Sequence, residues 1–225
     1  MKLTYLSHSV FILENDGFKA IFDPFITGNP LAKVLPIDIN NITHIFVSHG
    51  HQDHLGDTID LANANDALVI TNAEIAGYLS TFGIDTHPMH IGGRYKFDFG
   101  SVKLTPALHG SSIETDDGIL YGGSPSGFLI EMMGKKIYYA GDTGLSMDMK
   151  LLRDDGIDIA ILPIGGNYTM DIDDAVKAVK LIEPKLAIPM HYNTFPLIKA
   201  DPLEFKKKNI YSETKVLGIG ESYSF

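Results

Sequence analysis

Cysteine and tryptophan are absent from this 225-residue chain, and lysine and arginine are scarce. Without cysteine there is no disulfide framework and no thiolate ligand, so any metal would have to be held by histidine, carboxylates and water. The 18 basic residues against 28 acidic ones leave a formal charge of −10. That balance argues against a sequence-independent nucleic-acid binder, because neutralising phosphates takes clustered Lys and Arg, and the one short basic run is Lys206 to Lys208. Bound divalent cations would offset part of the charge locally. No apolar run approaches the roughly 18 to 20 residues needed to span a bilayer. The N-terminal stretch MKLTYLSHSVFILEND is interrupted by Ser7, His8 and Ser9 and no small-residue cleavage site follows it, so it reads as a first strand rather than a leader. The expected setting is the cytoplasm, with no nucleic-acid and no membrane partner; a homo-oligomer stays open.

What is present is an alternation of short β-rich and helical patterns. KLTYL, VFILE and FKAIFD are strand-like, the last two joined by NDG, a hairpin turn signal. Residues 24–40 carry three prolines and little periodicity, which suits an irregular surface loop or lid. From residue 43 the pattern becomes strand, helix, strand, helix: THIFVS, a stretch from Asp57 to Ala64, ALVIT, then NAEIAGYLSTFG closing at Gly83. RYKFDFG with VKLTPALH predicts a hairpin. After a Gly- and Ser-rich loop come GFLIEMM and KKIYYAGD, then IDIAILPIGG, a helix near 172–182 that Asp171 caps and Pro184 stops, and LAIPMHY. Each half reads as β-strands followed by βα units with no separating linker. The expectation is therefore one α/β domain over residues 1–225, with two sheets packed face to face and helices outside.

The densest chemistry lies in FVSHGHQDHLGD. Its spacing is H-x-H-x-D-H, formed by His49, His51, Asp53 and His54. If 44–48 is a buried strand, the cluster falls beyond its carboxyl end, where α/β architectures place ligand sites. In extended backbone residues 49 and 51 project to the same side and can share one ion, while Asp53 and His54 turn toward another as a helix begins. Three further metal-capable side chains end apolar strands: His109 after VKLTPAL, Asp142 after KKIYYAG and His191 after LAIPM.

In HGHQDH, His109, the GDTG around Asp142 and the MHYNTFP around His191, the chain resembles the metallo-β-lactamase superfamily from its N-terminal strands through His191. The resemblance implies the four-layer αββα sandwich. It also implies that His49, His51 and His109 bind a first metal, that Asp53, His54 and His191 bind a second, and that Asp142 bridges them. The short length, the early SHS at 7–9 and HYNTFP look most similar to small metal-dependent hydrolases related to L-ascorbate-6-phosphate lactonase. True β-lactamases commonly carry a cysteine where a bridging aspartate otherwise stands, and this chain has none.

Such a pair of divalent ions, zinc first, with manganese, iron or nickel as alternatives, would hold a bridging hydroxide at neutral pH. The expected enzyme is a dinuclear metal-dependent hydrolase of a small ester or lactone. The alternatives are a phosphodiesterase acting on a small phosphodiester, which the same site also suits, and a non-catalytic metal-binding protein. Asp53 is both a ligand and, by the resemblance, a proton carrier to the leaving group. His8, between two strands, is either a substrate-orienting group or acid, or a satisfied histidine at a strand bend. Asp23 is either a partner for a ligating imidazole or a turn-initiating aspartate before Pro24. His44 would sit at the wrong end of its strand to be a ligand. His87 and His90 are set aside, because Pro88 and the glycines after them predict a loop.

Overall fold

The computed structural model describes residues 1–225. Along the chain run β1 (Lys2–Ser7), β2 (Val10–Asn15), β3 (Phe18–Phe22), β4 (His44–Phe46), the one-turn α1 (Gln52–Leu55), α2 (Thr58–Asn65), β5 (Leu68–Asn72), α3 (Ala73–Ser80) and β6 (Thr86–Met89). Then come β7 (Arg94–Phe97), β8 (Gly100–Pro106), β9 (Ser112–Thr115), β10 (Gly118–Tyr121), β11 (Ser126–Met132), β12 (Lys135–Tyr139), α4 (Leu152–Asp155) and β13 (Ile159–Pro163). The chain closes with α5 (Ile172–Ile182), β14 (Leu186–Met190), α6 (Pro202–Lys208), β15 (Glu213–Thr214) and β16 (Ser222–Ser224). Two compact units collect these elements: Met1–His90 with Gly110–Pro125 and Leu217–Phe225, and Ile91–His109 with Ser126–Val216.

The first unit is built on a seven-stranded sheet of order β16-β1-β2-β3-β4-β5-β6. Strands β16 to β3 pair antiparallel, and β3 to β6 pair parallel. Of the parallel strands, β4 and β5 in the middle of the sheet are short and largely buried, as strands covered on both faces are. Phe22 stacks on Phe46 with ring centroids 4.8 Å apart. The turn signal at NDG closes β2 onto β3 through Gly17, whose φ of +70° is the left-handed geometry such turns require. Asn72 caps α3 by accepting from the Ile75 amide. The loop expected at THPM is instead β6. Its proline is tolerated because β6 is the outermost strand, where a missing amide leaves no ladder bond broken.

The second unit repeats the scheme in its own seven-stranded sheet, β15-β14-β13-β12-β11-β8-β7. Here β12 to β15 pair parallel, and β12, β11, β8 and β7 pair antiparallel. Because β8 and β12 both oppose β11, they run in the same direction and end at the same edge. Helix α5 begins where Asp171 accepts from the Asp174 amide and ends at Glu183, in left-handed geometry before Pro184. Ala175, Ala178, Val179 and Ile182 recur at helical spacing and are buried with Leu129, Tyr138, Leu162 and Phe205 in one apolar cluster. No helix is long and apolar enough to cross a membrane.

Candidate metal centre

In the first unit the site grows from the carboxyl ends of β3 and β4. Beyond β4 the chain bends at Gly50 and His51, and His51, with φ of −64° and ψ of 149°, is the residue before α1. Asp53 and His54 then lie in that single helical turn. His49 and His51 precede the helical turn and Asp53 and His54 lie in it, while the His49 and His54 rings stay close, with centroids 4.1 Å apart. His49 Nε2 and His51 Nδ1 come within 3.0 Å of each other. Two imidazole nitrogens bound to one tetrahedral zinc would be about 3.4 Å apart. His8, Asp53 and His54 also converge, each offering a ligand atom, all within 4.8 Å of one another.

One buried carboxylate orients this set. Asp23 follows β3 with φ of +40° and is fully buried. Its Oδ1 accepts from the Ser48 amide at 2.7 Å, and its Oδ2 accepts from Ser48 Oγ at 2.6 Å. Oδ2 also lies 2.7 Å from His54 Nδ1, so His54 carries its proton on Nδ1 and turns its lone pair to Nε2. Ser48 Oγ lies 3.0 Å from His49 Nδ1. With the hydroxyl proton given to Asp23, that oxygen accepts from His49, whose lone pair is likewise directed to Nε2. A single aspartate thus fixes the tautomers of two imidazoles, the arrangement that raises ligand basicity and sets ring orientation in metal sites. Asp23 is therefore the imidazole partner that the sequence left undecided against a turn-initiating residue. Ser48 had no sequence signal of its own beyond adjacency to His49.

His8 is buried at a left-handed bend, φ +53°, where the β1–β2 register shifts between Tyr5 and Ser7. Its Nε2 lies 3.2 Å from Asp53 Oδ2, and its ring stands edge-on to Phe25. The bend is held from the loop: Asn29 Nδ2 donates to Ser7 Oγ and to the Phe25 carbonyl, both at 2.9 Å.

The second unit gathers three predicted residues at one sheet edge. His109 follows β8, Asp142 follows β12 and His191 follows β14. Asp142 Oδ2 lies 3.0 Å from His191 Nε2 and 3.6 Å from His109 Nε2. His191 turns with φ +56°. Its carbonyl passes so close to Gly165 that a Cβ there would stand 2.3 Å from the oxygen, so only glycine fits. Thr143 ties the approach together. Its Oγ1 accepts from the Leu108 amide at 2.9 Å and donates to the Gly144 carbonyl, while the Gly144 amide donates to the Leu108 carbonyl at 3.0 Å. The residue before His109 is thereby clamped to the residues after Asp142. Sequence reading missed Thr143, although it lies inside GDTG.

His8 and Asp23 in the first unit and His191 in the second each stand in left-handed backbone. The donor set, imidazole and carboxylate without thiolate, fits a divalent ion of the zinc, manganese, iron or nickel kind. His44 and His87 stand apart from it: His44 Nδ1 pairs with Thr43 Oγ1, and burial holds the pKa of both rings below the ordinary histidine value. His90 closes the first unit's stretch after β6.

Residues 18–192 match the family described as the beta-lactamase superfamily domain. A metal-dependent hydrolase of Alkaliphilus metalliredigens is 56% identical over 226 residues, with all of both chains covered. One of Carboxydothermus hydrogenoformans is 53% identical, with 98% of each chain covered. Among solved structures, a metallo hydrolase of the archaeon Ignicoccus hospitalis superposes with a TM-score of 0.90 at 38% identity, covering 100% of this chain and 98% of the other. These likenesses carry the α/β fold class read from the sequence.

Proposed function

The chain belongs to the metallo-β-lactamase superfamily, among its metal-dependent hydrolases, and from that premise we propose that it hydrolyses a small ester or lactone at a dinuclear metal centre. Catalytic zinc takes three protein ligands and keeps an open position. The motif alone offers four donors, too few for two such ions, and His109, Asp142 and His191 supply the rest. By the family resemblance, His49, His51 and His109 would hold one ion and Asp53, His54 and His191 the other, with Asp142 available to both. Ions bound there would supply Lewis acidity and lower the pKa of water toward neutrality.

The observation that carries this reading is the tautomer control exerted by Asp23: an aspartate spent on directing two Nε2 lone pairs has its purpose in a cation. In the reaction, the oxygen of water adds to the acyl carbon, the acyl–oxygen bond breaks and the leaving oxygen takes a proton. Asp53 moves that proton, and His8, 3.2 Å from its Oδ2, orients the carboxylate and shares the proton. Residues 1–225 act as one domain, and the relatives that match over the whole chain support that extent. The substrate is a small molecule, and the ions are zinc by preference.

Elemental analysis of the purified protein, with assays on a lactone, an aryl ester and bis-(p-nitrophenyl) phosphate, tests the proposal. Two metals per chain and metal-dependent carbonyl turnover are expected. Turnover of the phosphodiester alone would replace the ester reading with the phosphodiesterase one, and bound metal without turnover of any of the three would point to a binding protein.

A further inference from the structure

The Gly- and Ser-rich stretch after His109 is a hairpin fastened to the ligand segment of the first unit. The Gly50 amide, between His49 and His51, donates to Ser111 Oγ at 3.1 Å, and that hydroxyl donates to the Gly122 carbonyl at 2.8 Å. Asn72 Nδ2 donates to the same carbonyl at 2.8 Å and to that of Ser124 at 3.2 Å. Ile113 is 1% exposed and packs so closely on Gly50 that a Cβ there would meet Ile113 Cγ1 at 2.8 Å. The hairpin therefore cannot shift without moving the backbone that carries two ligating histidines.

Its register sets what it presents. Leu120 pairs with Ile113, so the two share the face that lies on Gly50, while Ile119 and Tyr121 pair with Glu114 and Ser112 on the other face. Ile113 is covered, yet Leu120 beside it is 47% exposed. From Gly110 to Pro125 the only charged residues are Glu114, Asp116 and Asp117, with no lysine or arginine. A phosphorylated substrate would find no cationic partner on this hairpin.

We infer that Leu120 is a specificity-determining residue, an apolar wall beside the His49–Gly50–His51 segment, and that the substrate is an uncharged ester or lactone bearing an aliphatic group that lies against it. This rests on the hydrolytic reading above and names its substrate class. Full burial of a methylene is worth about fourfold in affinity and partial burial about twofold.

The test uses the metal-loaded full chain. Turnover is measured on γ-lactones with methyl to hexyl side chains, and binding, by ligand-observed NMR, on 2-alkylcyclopentanones of the same lengths, which have no bond to hydrolyse. Both kcat/KM and ketone affinity are expected to rise two- to fourfold per methylene. Leu120→Asp should flatten both series, Leu120→Met should keep them, and Ile119→Thr, on the opposite face, should leave them unchanged. A flat ketone series in the wild type, a slope that survives Leu120→Asp, or preference for a phosphorylated sugar lactone over its neutral counterpart overturns the inference. A graded ketone series abolished by Leu120→Asp, without turnover of any lactone, sinks the hydrolytic reading and leaves the wall standing.

Discussion

The two ends of the parallel strands in the second unit carry acidic residues in opposite circumstances. At the amino end, Asp158 precedes β13. Its Oδ2 accepts from the Lys136 amide at 2.9 Å, and its Oδ1 accepts from Lys185 Nζ at 2.8 Å, with Lys135 Nζ 3.8 Å away. At the carboxyl end, Asp142 meets imidazole nitrogens instead, and the segments 108–111, 140–146 and 189–195 contain no lysine or arginine. The same strands thus begin in a cluster of lysines around a carboxylate and finish in one of imidazoles around a carboxylate. On the proposed function, the acid gripped by lysines serves the fold and the acid among histidines serves binding.

The contrast breaks most easily at the carboxyl end. Asp142→Asn replaces the carboxylate proposed to serve both ions by an amide, a poor ligand, and should lower occupancy of the second metal and activity by more than about 100-fold, beyond the loss usual for residues behind the ligands. Because it removes a negative charge without emptying a packed volume, melting temperature of the metal-free protein should hardly change. Two tightly held metals with activity intact, by elemental analysis and lactone assay, would show that the dinuclear assignment is wrong.

Asp23→Asn comes next. The amide retains one acceptor for the Ser48 amide but turns an N–H toward Ser48 Oγ and His54 Nδ1, undoing both tautomers. Metal affinity should fall by about 10- to 100-fold, read by competition with a chromogenic chelator. An unchanged affinity would mean that the ligand rings are oriented by something else.

At the amino end the order of effects reverses. Asp158→Asn should leave metal content alone and cost about 1–3 kcal/mol of stability, because a buried hydrogen-bonded charge is lost. Burial works to raise the Asp158 pKa, but the hydrogen bonds from Lys185 and the Lys136 amide, with the charges of Lys185 and Lys135, hold it below the ordinary carboxylate value. A depressed folded-state pKa gives stability that is present above the unfolded value and lost as pH falls through the folded one. The gap in melting temperature between wild type and variant should therefore be widest near neutrality and close in acid, below about pH 4. A gap independent of pH would exclude the charge as its origin.

How far these ends were legible beforehand follows from the range of the forces involved. The place of the H-x-H-x-D-H segment beyond an apolar strand and the span of α5 are legible because their signals are local, the second bracketed by Asp171 and Pro184. The hairpin of β9 and β10 reads as a loop in the sequence because its strands are four residues each and half polar, though TDDG between them is a turn signal. The pairing of β16 with β1 joins Ser222 to Thr4 across nearly the whole chain, and no local pattern encodes it. Pro88 misled in the opposite direction, since its compatibility with a strand depends on that strand being the outermost one. Ser48 and Thr143 escaped notice because a hydroxyl announces a role only once its partners, Asp23 and Leu108, are in place.

The smallest expected effect extends the same contrast to the first unit. His44 begins β4, and His49 lies just past its end. His44 is half-buried against Phe18, with ring centroids 5.2 Å apart, and bonds to Thr43. Burial lowers its pKa from the ordinary 6.5, so the folded protein resists protonating it while the unfolded chain does not. It therefore contributes stability fully present above the unfolded value and lost as pH falls through the folded one. His44→Gln should keep both metals and full activity, cost less than about 1 kcal/mol near pH 7.5, and lose part of the wild-type decline in melting temperature as pH drops below 6.5. Loss of metal in this variant would mean that histidines at the two ends of β4 are coupled, and that position along the strand does not separate fold from function.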